Sequence, residues 1–160
     1  LSHPAFLKRQ VVGVPSVETA KMMAKVLQST GTDFGMVVIG HNGLDELSIT
    51  GPNLAHVITP EKIETTEIHP RDLGITTVNP ELIYGGSPQD NAQIAIQVLN
   101  GESGPKSDII VLNAAAGLVV AGIAENLVDG IERARSSIDS GAAKSKLQEL
   151  QTFTQELVLK

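Results

Sequence analysis

The sequence predicts an α/β domain in which a largely parallel sheet is flanked by helices. Two apolar runs, residues 10–14 and 34–39, enclose a segment whose apolar residues recur at helical spacing. The crossover in such a strand–helix–strand unit is almost always right-handed and places both strands parallel in one sheet. From residue 80 onward the chain turns helical, so helices are expected to cover the sheet.

Local signals define the first strand–helix–strand unit. Pro15 ends the apolar run 10–14, and Ser16 is a good N-cap for the helix that follows. The apolar face of this helix comprises Val17, Ala20, Met23, Ala24 and Leu27. Gly31 can end the helix as a C-cap. Residues 34–39 are apolar throughout, which is typical of a parallel strand covered on both faces.

Two shorter strands and a second capped helix are expected further along the chain. Residues 55–58 and 62–68 are interpreted as strands. Ser87, Pro88 and Asp90 supply an N-cap, a proline at the first helical position and an acidic third position, which together predict a helix start. One face of this helix comprises Asn91, Ile94, Ala95, Val98 and Leu99, and Gly101 closes it.

The C-terminal third predicts three more helices. A helix rich in Ala and Gly should run from residue 108 to about 124 and pack closely against its neighbours, because small side chains let backbones approach. Two amphipathic helices follow, one through Leu127, Ile131, Ala134 and Ile138, the other through Leu147, Leu150, Phe153 and Leu157. The longest apolar run, 109–124, is shorter than the roughly 20 residues of a membrane span.

Composition excludes several classes of function. Lysine and arginine total 12 against 18 acidic residues, a net charge of -6, so the chain has no general attraction to nucleic-acid backbones or anionic lipids. Aromatic residues make up only 2%, too few for base-stacking platforms. The absence of cysteine excludes thiolate sites and suits a reducing cytoplasm. We expect a cytoplasmic protein without nucleic-acid or membrane partners, and the start at Leu1 rather than Met suggests a fragment.

Asp45 and Glu46 are the candidate metal ligands. They follow the strand 34–39 in a segment bounded by Gly43 and Gly51. Ligand sites of α/β sheets favour this edge, and carboxylate oxygens are the donors that Mg²⁺ prefers, particularly where substrate phosphates complete its shell. The alternatives are a solvated acidic loop, or Asp45 as the cap of a short helix.

The remaining polar candidates favour structural roles. The four histidines include no pair at metal-ligand spacing. His41 ends the strand that leads to the acidic pair, so a place near the site and a plain turn role are equally open. Lys8 and Arg9 could contact a phosphate but are more simply a solvated pair. The Gly85-Gly86 pair fits loop geometry better than a nucleotide fingerprint, and Asn113 is expected to satisfy a buried polar contact.

A series of short motifs resembles the anthranilate phosphoribosyltransferase family along essentially the whole chain. Asp45 and Glu46 lie in the most specific of these motifs. In chain order the motifs are His3-Pro4-Ala5, residues 10–14, 43–48, Thr50-Gly51-Pro52, Gly85-Gly86, Asn91-Ala92, residues 112–116 and residues 137–141.

The resemblance implies a glycosyltransferase of tryptophan biosynthesis. Such an enzyme transfers the 5-phosphoribosyl group from phosphoribosyl pyrophosphate to the amine of anthranilate, and Asp45 and Glu46 would help to hold its Mg²⁺. The nearest rival is a pyrimidine nucleoside phosphorylase, which shares the general fold, and a non-catalytic α/β scaffold is a rival of another class.

The resemblance also implies that residues 1–160 are a C-terminal fragment of the catalytic domain. The family's Gly-Thr-Gly-Gly-Asp phosphate loop, its anthranilate-holding residues and most of the helical domain through which it dimerises correspond to a segment upstream of this chain. We therefore expect the fragment alone to be inactive, and the parent enzyme to be a homodimer.

Overall fold

A four-stranded sheet forms the centre of the fold in the computed structural model, which describes residues 7–158. The strands are β1 (Arg9–Gly13), β2 (Phe34–Ile39), β3 (Asn53–Ile58) and β4 (Ile63–Ile68), paired in that order. The β1 and β2 strands are parallel neighbours, with Val11 opposite Met36. The predicted strand–helix–strand unit is confirmed, while the motif His3-Pro4-Ala5 lies outside the described residues.

The prediction of a largely parallel sheet is wrong for the described strands. The β2–β3 and β3–β4 pairs are antiparallel. The chain between β2 and β3 contains only a short 3₁₀ helix and no crossover α-helix, so it re-enters the sheet from the end at which it left. The link between β3 and β4 is a tight turn, in which the Thr59 amide donates to the Lys62 carbonyl at 2.9 Å. Parallel pairing needs a longer crossover than either connection provides.

Five α-helices accompany the sheet within residues 7–158. They are α1 (Val17–Ser29), α2 (Pro88–Leu99), α3 (Pro105–Ala121), α4 (Leu127–Asp139) and α5 (Ala142–Val158), with short 3₁₀ helices at His41–Gly43, Pro70–Leu73 and Pro80–Ile83.

The helix ends follow the capping rules. The Ser16 side chain caps α1 as predicted, and Ser87 and Asp90 form a complete capping box at α2. The α3 helix begins and ends three residues before its predicted limits of 108 and 124. Pro105 provides its first helical residue, and Gly122 ends it in the left-handed conformation with φ 76°.

The sheet separates two hydrophobic cores. Alternate β2 residues face opposite sides: Val37 and Ile39 pack in the core with α1, whereas Met36 and Val38 pack in the core with α3 and α4. The expectation that this strand is covered on both faces is therefore confirmed. A Cβ atom added at Gly130 of α4 would lie 2.9 Å from the Ala115 Cβ of α3, which confirms close packing of the small-residue helix.

No α-helix within residues 7–158 combines the length and the apolar character that crossing a bilayer requires.

Candidate functional site

A tight turn carries the chain from β2 to the acidic pair. The Gly40 amide donates to the Leu44 carbonyl at 2.7 Å, and Asn42 and Gly43 have φ angles of 61° and 79°. Both angles lie in the left-handed region, where glycine and asparagine are favoured. The turn at Gly43 places Asp45 directly beyond the ends of β1 and β2.

Two glycines let the backbone of the acidic pair lie against the sheet. A Cβ atom on Gly13, the last residue of β1, would lie 1.5 Å from the Asp45 carbonyl oxygen. One on Gly40 would lie 2.2 Å from the Glu46 carbonyl oxygen. Neither position accepts a side chain without a shift of main chain, so the backbone of the acidic pair is fixed against the ends of two parallel strands. Neither glycine was predicted from the sequence to be part of the site.

The two carboxylates are exposed and electrostatically coupled. Both Asp45 and Glu46 are exposed side chains. Partial desolvation and, second, the negative charge of Asp45 raise the pKa of Glu46 above its usual value. A cation bound beside the pair would relieve this repulsion, and carboxylate oxygens are donors that Mg²⁺ prefers.

The described residues contain no cluster of three or more histidine, cysteine, aspartate or glutamate side chains that could hold a metal ion. Asp45 and Glu46 would therefore supply only part of a coordination shell, and other donors would have to complete it. Hard oxygen donors such as water and phosphate match this requirement for Mg²⁺.

The Gly85-Gly86 loop borders Glu46 across a cavity of about 190 Å³, which Asn91 and Lys106 also line. The Asn91 side chain accepts a hydrogen bond from the Gly86 amide at 2.8 Å. A Cβ atom on Gly85 would lie 2.4 Å from Asn91 Oδ1. The glycine pair thus lies in a close loop, as predicted. Its place beside Glu46 is a tertiary result that the local sequence does not show.

His41 stabilises the acidic loop, the loop between β2 and β3 that carries Asp45 and Glu46. Its Nδ1 lies 3.1 Å from Thr50 Oγ1, and its ring packs so closely on Gly51 that an added Cβ there would lie 2.5 Å from the ring. The turn role left open for His41 is therefore confirmed, because its side chain supports the loop that carries the acidic pair.

Lys8 and Arg9 each bind a backbone carbonyl. Lys8 Nζ donates to the Gly31 oxygen at 2.7 Å, and Arg9 Nη1 donates to the Val120 oxygen at 2.9 Å. Both side chains thus have structural partners within the chain. Asn113 likewise satisfies buried backbone groups, as expected.

Comparison with known proteins identifies the family. A family model described as "Glycosyl transferase family, a/b domain" matches residues 1–144. The chain belongs to this glycosyl transferase family. The motifs and the fold of this chain indicate the same family. Both the similar sequences and the similar structures carry the name that the motif resemblance indicated.

Similar glycosyl transferase sequences are anthranilate phosphoribosyltransferases. The Petrotoga mobilis protein is 42% identical over 159 residues, which cover 99% of this chain and 46% of that protein. The Azorhizobium caulinodans protein is 42% identical over 157 residues, covering 98% of this chain and 46% of that protein. The chain thus spans about half the length of the curated relatives it matches.

Solved structures of anthranilate phosphoribosyltransferases have the same fold as this chain over the part that superposes. The Thermus thermophilus anthranilate phosphoribosyltransferase superposes with a TM-score of 0.81 at 34% identity, over 89% of this chain and 42% of that chain. The Saccharomyces cerevisiae enzyme in complex with PRPP and Mg superposes with a TM-score of 0.79 at 30% identity, over 88% of this chain and 41% of that chain. The expected phosphoribosyltransferase-like fold is confirmed.

Proposed function

We propose that this chain forms the C-terminal part of the catalytic domain of an anthranilate phosphoribosyltransferase of tryptophan biosynthesis. In this proposal Asp45 and Glu46 bind Mg²⁺ together with phosphoribosyl pyrophosphate. The observation that carries the proposal is the acidic pair, exposed at the ends of β1 and β2 with its backbone packed against Gly13 and Gly40. The names of the similar sequences and the yeast complex with PRPP and Mg support it.

The role of the chain's own residues in this reaction is binding and orientation. Mg²⁺, when bound, would supply neutralisation of the charge that develops on the departing pyrophosphate. Asp45 and Glu46 would hold the ion at the end of the sheet and leave its remaining coordination positions to water and phosphate oxygens. The rigid attachment of their backbone would fix the pyrophosphate relative to the ribose, so positioning contributes more than proton transfer.

The other substrate contacts would belong to a segment of the parent enzyme upstream of this chain. The motif resemblance implies that the phosphate-holding glycine loop and the anthranilate-holding residues lie there, so the isolated chain should not convert anthranilate at a detectable rate. Supplying that segment in trans should restore activity. We further propose a cytoplasmic homodimer as the working form of the complete enzyme.

The test uses a full-length enzyme that carries this chain. Asp45→Asn and Glu46→Gln keep side-chain size but remove one negative charge each. Each should lower kcat/KM for phosphoribosyl pyrophosphate by about tenfold or more, equivalent to about 1.4 kcal/mol of transition-state stabilisation. Each should also raise the Mg²⁺ concentration needed for half-maximal rate.

The matched control is Glu61→Gln, an exposed acidic residue in the turn between β3 and β4. This variant should retain wild-type kinetics. Wild-type kinetics and Mg²⁺ dependence in both Asp45→Asn and Glu46→Gln would show that the acidic loop is merely solvated. Turnover of a pyrimidine nucleoside with inorganic phosphate, rather than of anthranilate, would instead support the nucleoside phosphorylase alternative.

A further inference from the structure

The residue that follows the acidic pair is held by a side chain from a distant helix. Asn113 of α3 accepts a hydrogen bond from the Leu47 amide at 2.9 Å and donates one to the Leu47 carbonyl at 2.8 Å. One amide group therefore satisfies both backbone groups of Leu47. The same Nδ2 donates to the Ile109 carbonyl at 2.9 Å, which fixes the amide orientation on its own helix.

The next residue, Ser48, is held in the same way from the sheet. Asn53, at the start of β3, accepts from the Ser48 amide at 2.6 Å and donates to the Ser48 carbonyl at 3.0 Å. Its Nδ2 also lies 3.3 Å from the Gly51 oxygen and 3.1 Å from the Ile68 oxygen. Only 2% of Asn53 is exposed, so this group of hydrogen bonds is shielded from water.

These two amides replace a strand partner. Leu47 and Ser48 belong to none of the four strands, yet each pairs both its N–H and its C=O as a ladder residue does. Buried backbone groups must find partners, and the side chains of Leu47 and Ser48 are completely buried. A shift of the segment beside Glu46 would therefore break several hydrogen bonds at once.

We propose that Asn113 is a positioning residue for the metal-binding pair. Its amide connects α3 to the backbone one residue after Glu46, and so fixes the direction in which the two carboxylates leave the loop. This inference rests on the proposed Mg²⁺ role of Asp45 and Glu46. Loss of a residue that orients metal ligands typically lowers metal affinity or activity by about 10–100-fold.

The measurement is the binding of phosphoribosyl pyrophosphate to the full-length enzyme by calorimetry, with excess Mg²⁺ and with EDTA. The ratio of the two Kd values reports how much the metal strengthens binding, independently of turnover. In Asn113→Ala this ratio should fall about tenfold or more. The Kd in EDTA should stay at the wild-type value, because phosphate contacts outside the acidic loop are untouched.

A purely structural role for Asn113 is tested with a matched control on the same helix. Val120→Ala removes buried side-chain volume about two turns further along α3, where 3% of Val120 is exposed. This variant should lose stability without a change in the Kd ratio. If Asn113→Ala does not fold, Asn113→Gln replaces it, since this variant keeps the amide but moves it by one methylene group and should also lower the ratio.

A double-mutant cycle separates the two proposals. If Asn113 acts through the acidic pair, adding Asn113→Ala to the Asp45→Asn, Glu46→Gln double variant should lower the Kd ratio no further. An additive further loss would overturn the positioning role. If the acidic variants lower the ratio and Asn113→Ala keeps the wild-type ratio, the positioning role is wrong and the metal role stands. If neither changes the ratio, both are wrong.

Discussion

The contact between Gly13 and the acidic loop allows a sharp test of the site geometry. Replacing Gly13 by alanine adds one methyl group, whose carbon would lie 1.5 Å from the Asp45 carbonyl oxygen. Real Cβ atoms essentially never approach a neighbour within 3.0 Å, so β1 and the loop must separate by about 1.5 Å. The opposing atoms are backbone, and no side-chain rotation can relieve the clash.

The expected cost of Gly13→Ala is that of overpacking, about 1–3 kcal/mol in the free energy of unfolding. The separation would also displace the Asp45 backbone, and a misplacement of about 1 Å in a catalytic constellation can cost about 100-fold in rate. Urea unfolding followed by circular dichroism measures the first effect. The dependence of the full-length enzyme's rate on Mg²⁺ concentration measures the second.

Gly117→Ala is the matched control for Gly13→Ala. Gly117 lies within α3, is exposed, and an added Cβ atom would meet nothing within 4 Å. Alanine should stabilise this helix position by about 0.5–1 kcal/mol and leave the Mg²⁺ dependence unchanged. If Gly13→Ala is as stable as the wild type and needs no more Mg²⁺, the acidic loop does not rest on β1 and the site geometry is wrong.

Three further predictions follow from single contacts and charges. Gly130→Ala should destabilise the fold by about 1–3 kcal/mol, because its methyl group would lie 2.9 Å from both the Cβ and the carbonyl oxygen of Ala115; an unchanged thermal midpoint would contradict the close packing of α3 and α4. Mg²⁺ should bind more weakly as the pH falls through the raised pKa of Glu46, since the protonated carboxyl is a poor ligand, and in Glu46→Gln this contribution to the pH dependence should disappear. Burial, with a smaller contribution from Lys21, lowers the pKa of His56 below 6.5. The unfolded chain therefore takes up this proton first, and the free energy of unfolding should fall as the pH drops below about 6.5. His56→Asn should reduce that fall, and an identical pH profile in the variant would show that His56 titrates normally.

Interactions within a few residues were sufficient for the elements that the sequence predicted correctly. Ser16 caps α1 and Ser87 caps α2 through hydrogen bonds three residues away. Helical spacing and the continuous apolar run of β2 likewise depend on neighbouring residues. The acidic pair was also predicted from neighbouring residues, and Gly43, which bounds its segment, has a positive φ angle in the structure.

Contacts between distant segments decided the rest. The direction of β3 and β4 depends on how the chain leaves β2, and the local apolar pattern is the same for either direction. Gly13, Gly40 and Asn53 were absent from the predicted site, and Asn113 was expected only to fill a buried contact. The Asn113–Leu47 hydrogen bonds join residues 66 positions apart. The sequence by itself predicted the acidic pair as the candidate metal ligands, whereas the tertiary structure alone decided what holds that pair in place, because hydrogen bonding and close packing act through space.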